Sequence, residues 1–139
     1  MTELFSKSRE ETFEIAERFA KSLVPGDIVL LYGDLGAGKT VFSKGIVSAL
    51  SDKKIDAVSP TFVIVNIYDT TPPIYHFDLY RIGDESELDA IGAEEYFFGS
   101  GVCLVEWPER AEGRFPDYSI KVCIEKIDDD TRKIIIEGK

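Results

Sequence analysis

The stretch Gly33-Asp34-Leu35-Gly36-Ala37-Gly38-Lys39-Thr40 matches the pattern G-x-x-x-x-G-K-[ST] in full. Its residue types suit one task, the holding of phosphate. Gly33, Gly36 and Gly38 let the backbone turn without Cβ clashes. Successive amide N–H groups then converge into a concave anion nest. A helix starting there adds roughly half a positive charge at its N-terminus. Asp34, Leu35, Gly36, Ala37 and Gly38 are the expected cradle, with Lys39 reaching the terminal phosphates and Thr40 offering its hydroxyl to Mg²⁺. With glycine at roughly 7% of residues, a chain of this length meets the pattern by chance about 0.5% of the time, so the match is a signal for nucleoside triphosphate binding.

Such a loop needs a carboxylate for the metal ion or its water shell, commonly at the end of a buried strand. Two candidates stand out. Glu106 ends the apolar run Val102-Cys103-Leu104-Val105. Asp78 lies in Tyr75-His76-Phe77-Asp78-Leu79-Tyr80-Arg81, where alternation sets His76, Asp78 and Tyr80 on one face and Phe77 and Leu79 on the other. The two can share the site, one on the metal and one orienting water. Ser59-Pro60-Thr61-Phe62 is a third element: Pro60 holds Ser59 extended, and Thr61 either approaches a terminal phosphate or simply belongs to a turn that starts the next strand. Two further matches are decoys. Asp89-Ala90-Ile91-Gly92 fits the D-x-x-G of GTPase switches but follows an acidic helical stretch, and Glu125-Lys126-Ile127-Asp128 lacks the asparagine of a guanine-reading N-K-x-D. GTP specificity is disfavoured accordingly.

The elements that position these residues follow from periodicity. Phe13, Ala16, Phe19, Ala20 and Leu23 mark one face of a helix from Ser8 to about Leu23, with Ser8 and Glu11 forming a capping box. Pro25-Gly26-Asp27 stops it. Ile28-Val29-Leu30-Leu31-Tyr32 is a continuous apolar run suited to a central strand covered on both faces. Thr40 to Leu50 reads as the helix after the loop, burying Phe42, Ile46, Ala49 and Leu50. Thr61 to Ile67 and Ile74 to Ile82 suggest an antiparallel pair around Thr70-Thr71-Pro72-Pro73, and Glu85 to Ile91 a short acidic helix. Tyr118 to Ile127 and Arg132 to Glu137 flank the hairpin turn Asp128-Asp129-Asp130-Thr131. The expected fold is α/β: a single P-loop NTPase-like domain over residues 1–139, with a mixed central sheet flanked by helices and an antiparallel C-terminal strand pair.

Composition narrows the function classes. The 139 residues carry 16 Lys+Arg against 26 Asp+Glu, a net charge of -10. Phosphate affinity rests on Lys and Arg, so a stand-alone nucleic-acid binder is disfavoured. No apolar run approaches the roughly 18 residues of a membrane span, and no secretory leader is expected. Cys103 and Cys123 read as buried structural thiols in strands, and with His76 the only histidine a zinc site is not expected. A reducing, cytoplasmic compartment follows.

Four segments in order, the loop at Gly33–Thr40, Ser59–Phe62, His76-Phe77-Asp78-Leu79-Tyr80-Arg81 and Leu104-Val105-Glu106-Trp107-Pro108, give a set that resembles the bacterial TsaE (YjeE) family, the ATPase of tRNA threonylcarbamoyladenosine biosynthesis. The likeness runs from about Ser8 to Ile136. It implies a small P-loop ATPase in which Lys39, Asp78 and Glu106 are catalytic, Thr40 and Glu106 hold Mg²⁺, Thr61 lies in a switch-like loop, and Trp107 stands beside the nucleotide. Arg9 and Arg132 fall near the family's nucleoside contacts. The resemblance further implies weak intrinsic hydrolysis and action with TsaB and TsaD, whose heterodimer ATP turnover resets, with tRNA reached only through those partners. A small-molecule P-loop kinase is the alternative, although Arg81, Arg110, Arg114 and Arg132 are too scattered for a typical lid. A nucleotide-gated binding module without turnover is a third reading.

Overall fold

The computed structural model describes residues 1–34, 36–51 and 65–138. Ser59-Pro60-Thr61-Phe62 and Leu35 lie outside the described residues. Among those described, strands β1 (Thr2–Ser6), β2 (Ile28–Tyr32), β3 (Val65–Tyr68), β4 (Ile74–Asp78), β5 (Val102–Glu106), β6 (Ile120–Lys126) and β7 (Arg132–Glu137) form one sheet in the order β1-β7-β6-β2-β5-β4-β3. β2 pairs in parallel with β5 and β6, and β4 in parallel with β5. The β3–β4, β6–β7 and β1–β7 pairs are antiparallel. The mixed α/β sheet with an antiparallel C-terminal pair is therefore as expected.

Helices α1 (Arg9–Ala20) and α2 (Lys39–Leu50) cover one face of the sheet. Ile15, Ala16 and Phe19 of α1 and Phe42, Ile46 and Val47 of α2 bury against Val29, Leu31, Val102 and Leu104. The short helices α3 (Ser86–Ala90) and α4 (Ala93–Phe97), with a 3-10 turn at Pro108–Ala111, cover the other face. There Ile28, Leu30, Cys103 and Val105 meet Phe77, Leu88 and Phe97. Thus β2 and β5 are apolar on both sides, the property that made Ile28–Tyr32 legible as a central strand. No helix among the described residues is long and apolar enough to cross a membrane.

Several boundaries differ from the sequence reading. The chain before Ser8 forms β1, an edge strand paired along its length with β7; its residues are mostly exposed, so no apolar alternation announces it. The second strand of the β3–β4 pair stops at Asp78: the Leu79 amide still bonds the Glu106 carbonyl at 3.0 Å, but the chain then turns, with the Ile82 amide on the Leu79 carbonyl at 3.3 Å. The C-terminal part of α2 is less covered than expected, with Ala49 and Leu50 half-buried and Val47 taking the core position. Cys103 is buried as expected, but Cys123 is only half-buried. The cap at Ser8 is observed: its hydroxyl accepts from the Glu11 amide at 3.0 Å.

Candidate functional site

The loop leaves the C-terminal end of β2 and enters α2, at the sheet edge where parallel strands present their ligands. Gly38 caps α2 in a left-handed conformation, φ 111°, where an L side chain would be strained. Gly33 is required for another reason, since a Cβ there would lie 2.7 Å from the Ile124 carbonyl oxygen. Among the described residues no side chain caps the N-terminus of α2. Its first amides are thereby left to an anion, with the helix dipole behind them. Gly36, Gly38, Lys39 and Thr40 line a cavity of about 480 Å³. Ala37 is buried under the loop and Asp34 is exposed at its rim.

Strand register brings the two acids together. β4 and β5 pair Ile74 with Val102, His76 with Leu104 and Asp78 with Glu106. Ile74, Val102 and Leu104 belong to the α1–α2 side of the core, so Asp78 and Glu106 emerge on that side where the strands end. Both line the cavity with Lys39. Glu106 is 3% exposed, and its Oε2 lies 2.5 Å from Nε2 of the equally buried His76. Asp78 is half-buried, and its Oδ1 accepts from the Tyr80 amide at 3.0 Å.

Lys39 is the cation that shares the loop side of the cavity with these two acids. Its Nζ donates to the Gly33 carbonyl at 2.5 Å and sits 3.3 Å from the centroid of the Trp107 ring. Burial pushes the Lys39 ammonium below the usual lysine range, and the negative charges of Glu106, Glu109 and Asp78 partly oppose that shift. Trp107 is the described non-glycine residue with positive φ, 59°. That uncommon backbone turns its indole under Lys39 and against Tyr80, whose ring centroid is 4.8 Å away.

Arg9 and Arg132 line the same cavity. Arg132 grips the loop as well: Nε donates to the Ala37 carbonyl at 2.9 Å, while Nη1 donates to the Asp128 carbonyl at 2.7 Å. The β6–β7 turn and the glycine-rich loop are thus joined through one guanidinium. The expected turn is present, with Asp128 Oδ1 accepting from the Thr131 amide at 2.8 Å. These backbone donors hold the Asp128 carboxyl below its ordinary value. Sequence reasoning missed Ser8, Thr12, Tyr80, Asp129 and Asp130 as wall residues. The Asp run was visible, but as a turn. The decoy Asp89 is a surface residue whose Oδ1 takes a hydrogen bond from Arg114 Nη1 at 2.6 Å.

Comparison with known proteins points one way. The family model described as threonylcarbamoyl adenosine biosynthesis protein TsaE matches residues 6–134. The chain is 47% identical to the tRNA threonylcarbamoyladenosine biosynthesis protein TsaE of Bacillus subtilis over 126 residues, 90% of this chain and 78% of that one. It is 34% identical to the protein of the same name from Treponema pallidum over 131 residues, 94% of this chain and 96% of that one. The crystal structure of Bacillus subtilis YdiB superposes with a TM-score of 0.80 at 39% identity, covering 96% of this chain and 82% of that one. With the motif set, the sheet and the family match in agreement over most of its length, the chain belongs to the TsaE family of threonylcarbamoyl adenosine biosynthesis proteins.

Proposed function

We propose that this protein is a P-loop ATPase that binds Mg²⁺–ATP in the cavity at the start of α2 and serves tRNA threonylcarbamoyladenosine formation. One observation carries the reading: Gly36, Gly38, Lys39 and Thr40 of the loop share a single cavity with Asp78 and Glu106. The loop amides and Lys39 hold the phosphates, as preorganised donors for charge that grows during phosphoryl transfer. Trp107 stands beside the phosphate-binding Lys39, and Arg9 and Arg132, on the same cavity, would flank the nucleoside.

The residues fit Mg²⁺. Thr40 and Glu106 offer hard oxygen donors on the same cavity. Mg²⁺ is ordinarily bound by one or two carboxylates plus substrate phosphates, and among the described residues no cluster of three or more His, Cys, Asp or Glu side chains stands ready to cage a metal alone. Bound there, the ion would supply charge neutralisation at the phosphates. Glu106 is fixed by His76, which leaves the more exposed Asp78 to orient the attacking water.

The family name supports a place in the pathway, and TsaB and TsaD are the proposed partners, with tRNA held by them. The net charge of -10 supports that division, because the surface is a poor one for RNA. A cytoplasmic location accompanies this role. The test is ATP titration by calorimetry with wild type and Lys39→Ala, followed by capture of TsaB and TsaD with and without ATP. Wild type is expected to bind ATP in a Mg²⁺-dependent way and to recover both partners. Normal ATP binding by Lys39→Ala would remove the basis of the proposal.

A further inference from the structure

His76 is the single histidine of the chain, and its ring is 1% exposed in β4. Beside it stands Tyr68, with ring centroids 6.4 Å apart. Burying an imidazole costs desolvation that an apolar side chain would not. The polar contact it makes is with Glu106, Nε2 to Oε2 at 2.5 Å. Its other ring nitrogen, Nδ1, is buried without a hydrogen-bond partner among the described residues. A carboxylate only accepts, so the ring must donate. The Nε2–H tautomer does this and leaves a bare lone pair at Nδ1; the opposite tautomer would bury an unpaired N–H and set two acceptors against each other.

The consequence falls on Glu106. A glutamate carboxylate turns about a broad terminal torsion with little intrinsic preference. Engaging Oε2 removes that freedom and leaves Oε1 as the oxygen available to the cavity that Thr40 and Lys39 also line. Carboxylates that bind metal are commonly oriented in this way by a hydrogen bond from behind. We propose that His76 is a positioning residue, whose Nε2–H fixes one oxygen of Glu106 so that the other is presented to the Mg²⁺–nucleotide. What Oε1 meets rests on the proposed function; the His76–Glu106 pair does not.

Two measurements test it. With ¹⁵N-labelled histidine every imidazole signal comes from His76. The nucleotide-free wild-type protein is expected to show the Nε2–H tautomer, and the Nδ1–H tautomer would overturn the proposal whatever any variant does. Mn²⁺, a paramagnetic substitute for Mg²⁺, is then titrated by EPR into wild type, His76→Leu and His76→Gln, each saturated with a non-hydrolysable ATP analogue. His76→Leu should weaken Mn²⁺ by about 10–100-fold while leaving analogue affinity in EDTA unchanged. The Gln amide places an N–H near the lost Nε2 and should recover most of the affinity. Equal Mn²⁺ affinity in wild type and His76→Leu, or an equal loss in two folded variants, overturns the proposal. Failure of the wild type to bind nucleotide would sink the ATPase reading instead, with the tautomer still deciding the pair.

Discussion

The ammonium of Lys39 rests on the face of Trp107, 3.3 Å from the ring centroid, and is bonded at the same time to the Gly33 carbonyl. The loop lysine therefore has two partners, a π-face and a backbone oxygen. A desolvated cation–π contact is worth about 2 kcal/mol. Trp107 is the only tryptophan of the chain, so tryptophan emission reports its surroundings, this contact among them. The nucleotide-free Lys39→Met protein is expected to differ from wild type in emission intensity and maximum, and Lys39→Arg, which keeps a cation over the ring, to differ less. Steady-state fluorescence checks this; identical spectra for wild type and Lys39→Met would show that the ammonium does not occupy the indole face in solution.

Arg132 joins two parts of the site that are far apart in the chain, the Ala37 carbonyl of the loop and the Asp128 carbonyl of the β6–β7 turn. Hydrogen bonds from a charged donor contribute about 1.5–3 kcal/mol. Arg132→Ala is expected to lower stability toward the bottom of that range, because the guanidinium is only half-buried, and to speed hydrogen exchange at the loop amides. Arg132→Lys should rescue little, since a point ammonium cannot span both carbonyls as a planar fork does. Urea unfolding and amide exchange measure the two effects. A lysine variant indistinguishable from wild type in both would argue that charge, not geometry, holds the loop.

The parts of the site legible in the sequence are those whose geometry is local. Gly33–Thr40 encodes its own turn, and Glu106 follows a run of four residues buried on both faces. Other features depend on strand pairing. Asp78 meets Glu106 because β4 and β5 pair in that register, and nothing in either segment alone fixes it. β1 was silent because an edge strand of largely exposed residues is held by backbone bonds to β7, at the far end of the chain. Trp107 reads as an aromatic after a strand; its left-handed backbone, which turns the ring toward Lys39, is a tertiary outcome. The grip of Arg132 was hidden likewise, as its carbonyl acceptor at Ala37 is 95 positions away.

Alkaline stability should bear the mark of Cys103. Burial pushes its thiol up to about 12 from a model-compound value of 9.0. The folded protein then keeps a proton that the unfolded chain releases. The stability this gives is complete below pH 9 and is lost as pH rises toward 12. Tyr32 and Cys123 are raised in the same direction by burial and nearby carboxylates, and they add to the decline. The urea midpoint of wild type is expected to fall through this window, and that of Cys103→Ala to fall less steeply. An equal slope in the variant would mean that Cys103 titrates like an exposed thiol.

Gly45 lies in the middle of α2, where glycine is ordinarily a liability. Replacing an exposed helix-interior glycine by alanine stabilises a helix by about 1 kcal/mol. Here the sign should reverse. A Cβ on Gly45 would stand 2.6 Å from Ala16 Cβ and 2.6 Å from the Phe13 carbonyl oxygen, so α1 would have to move bodily. Overpacking of this kind costs about 1–3 kcal/mol, enough to outweigh the propensity gain. Gly45→Ala is expected to lower the melting temperature by a few degrees and Gly45→Val by more. The displacement reaches the candidate site, because Ser8 and Arg9 at the start of α1 line the cavity at the glycine-rich loop. Nucleotide affinity should therefore fall together with stability across the two variants. Calorimetric scans with and without ATP test both links: a raised melting temperature for Gly45→Ala would contradict the close helix approach, and unchanged ATP affinity in a destabilised Gly45→Val would separate the position of α1 from the site.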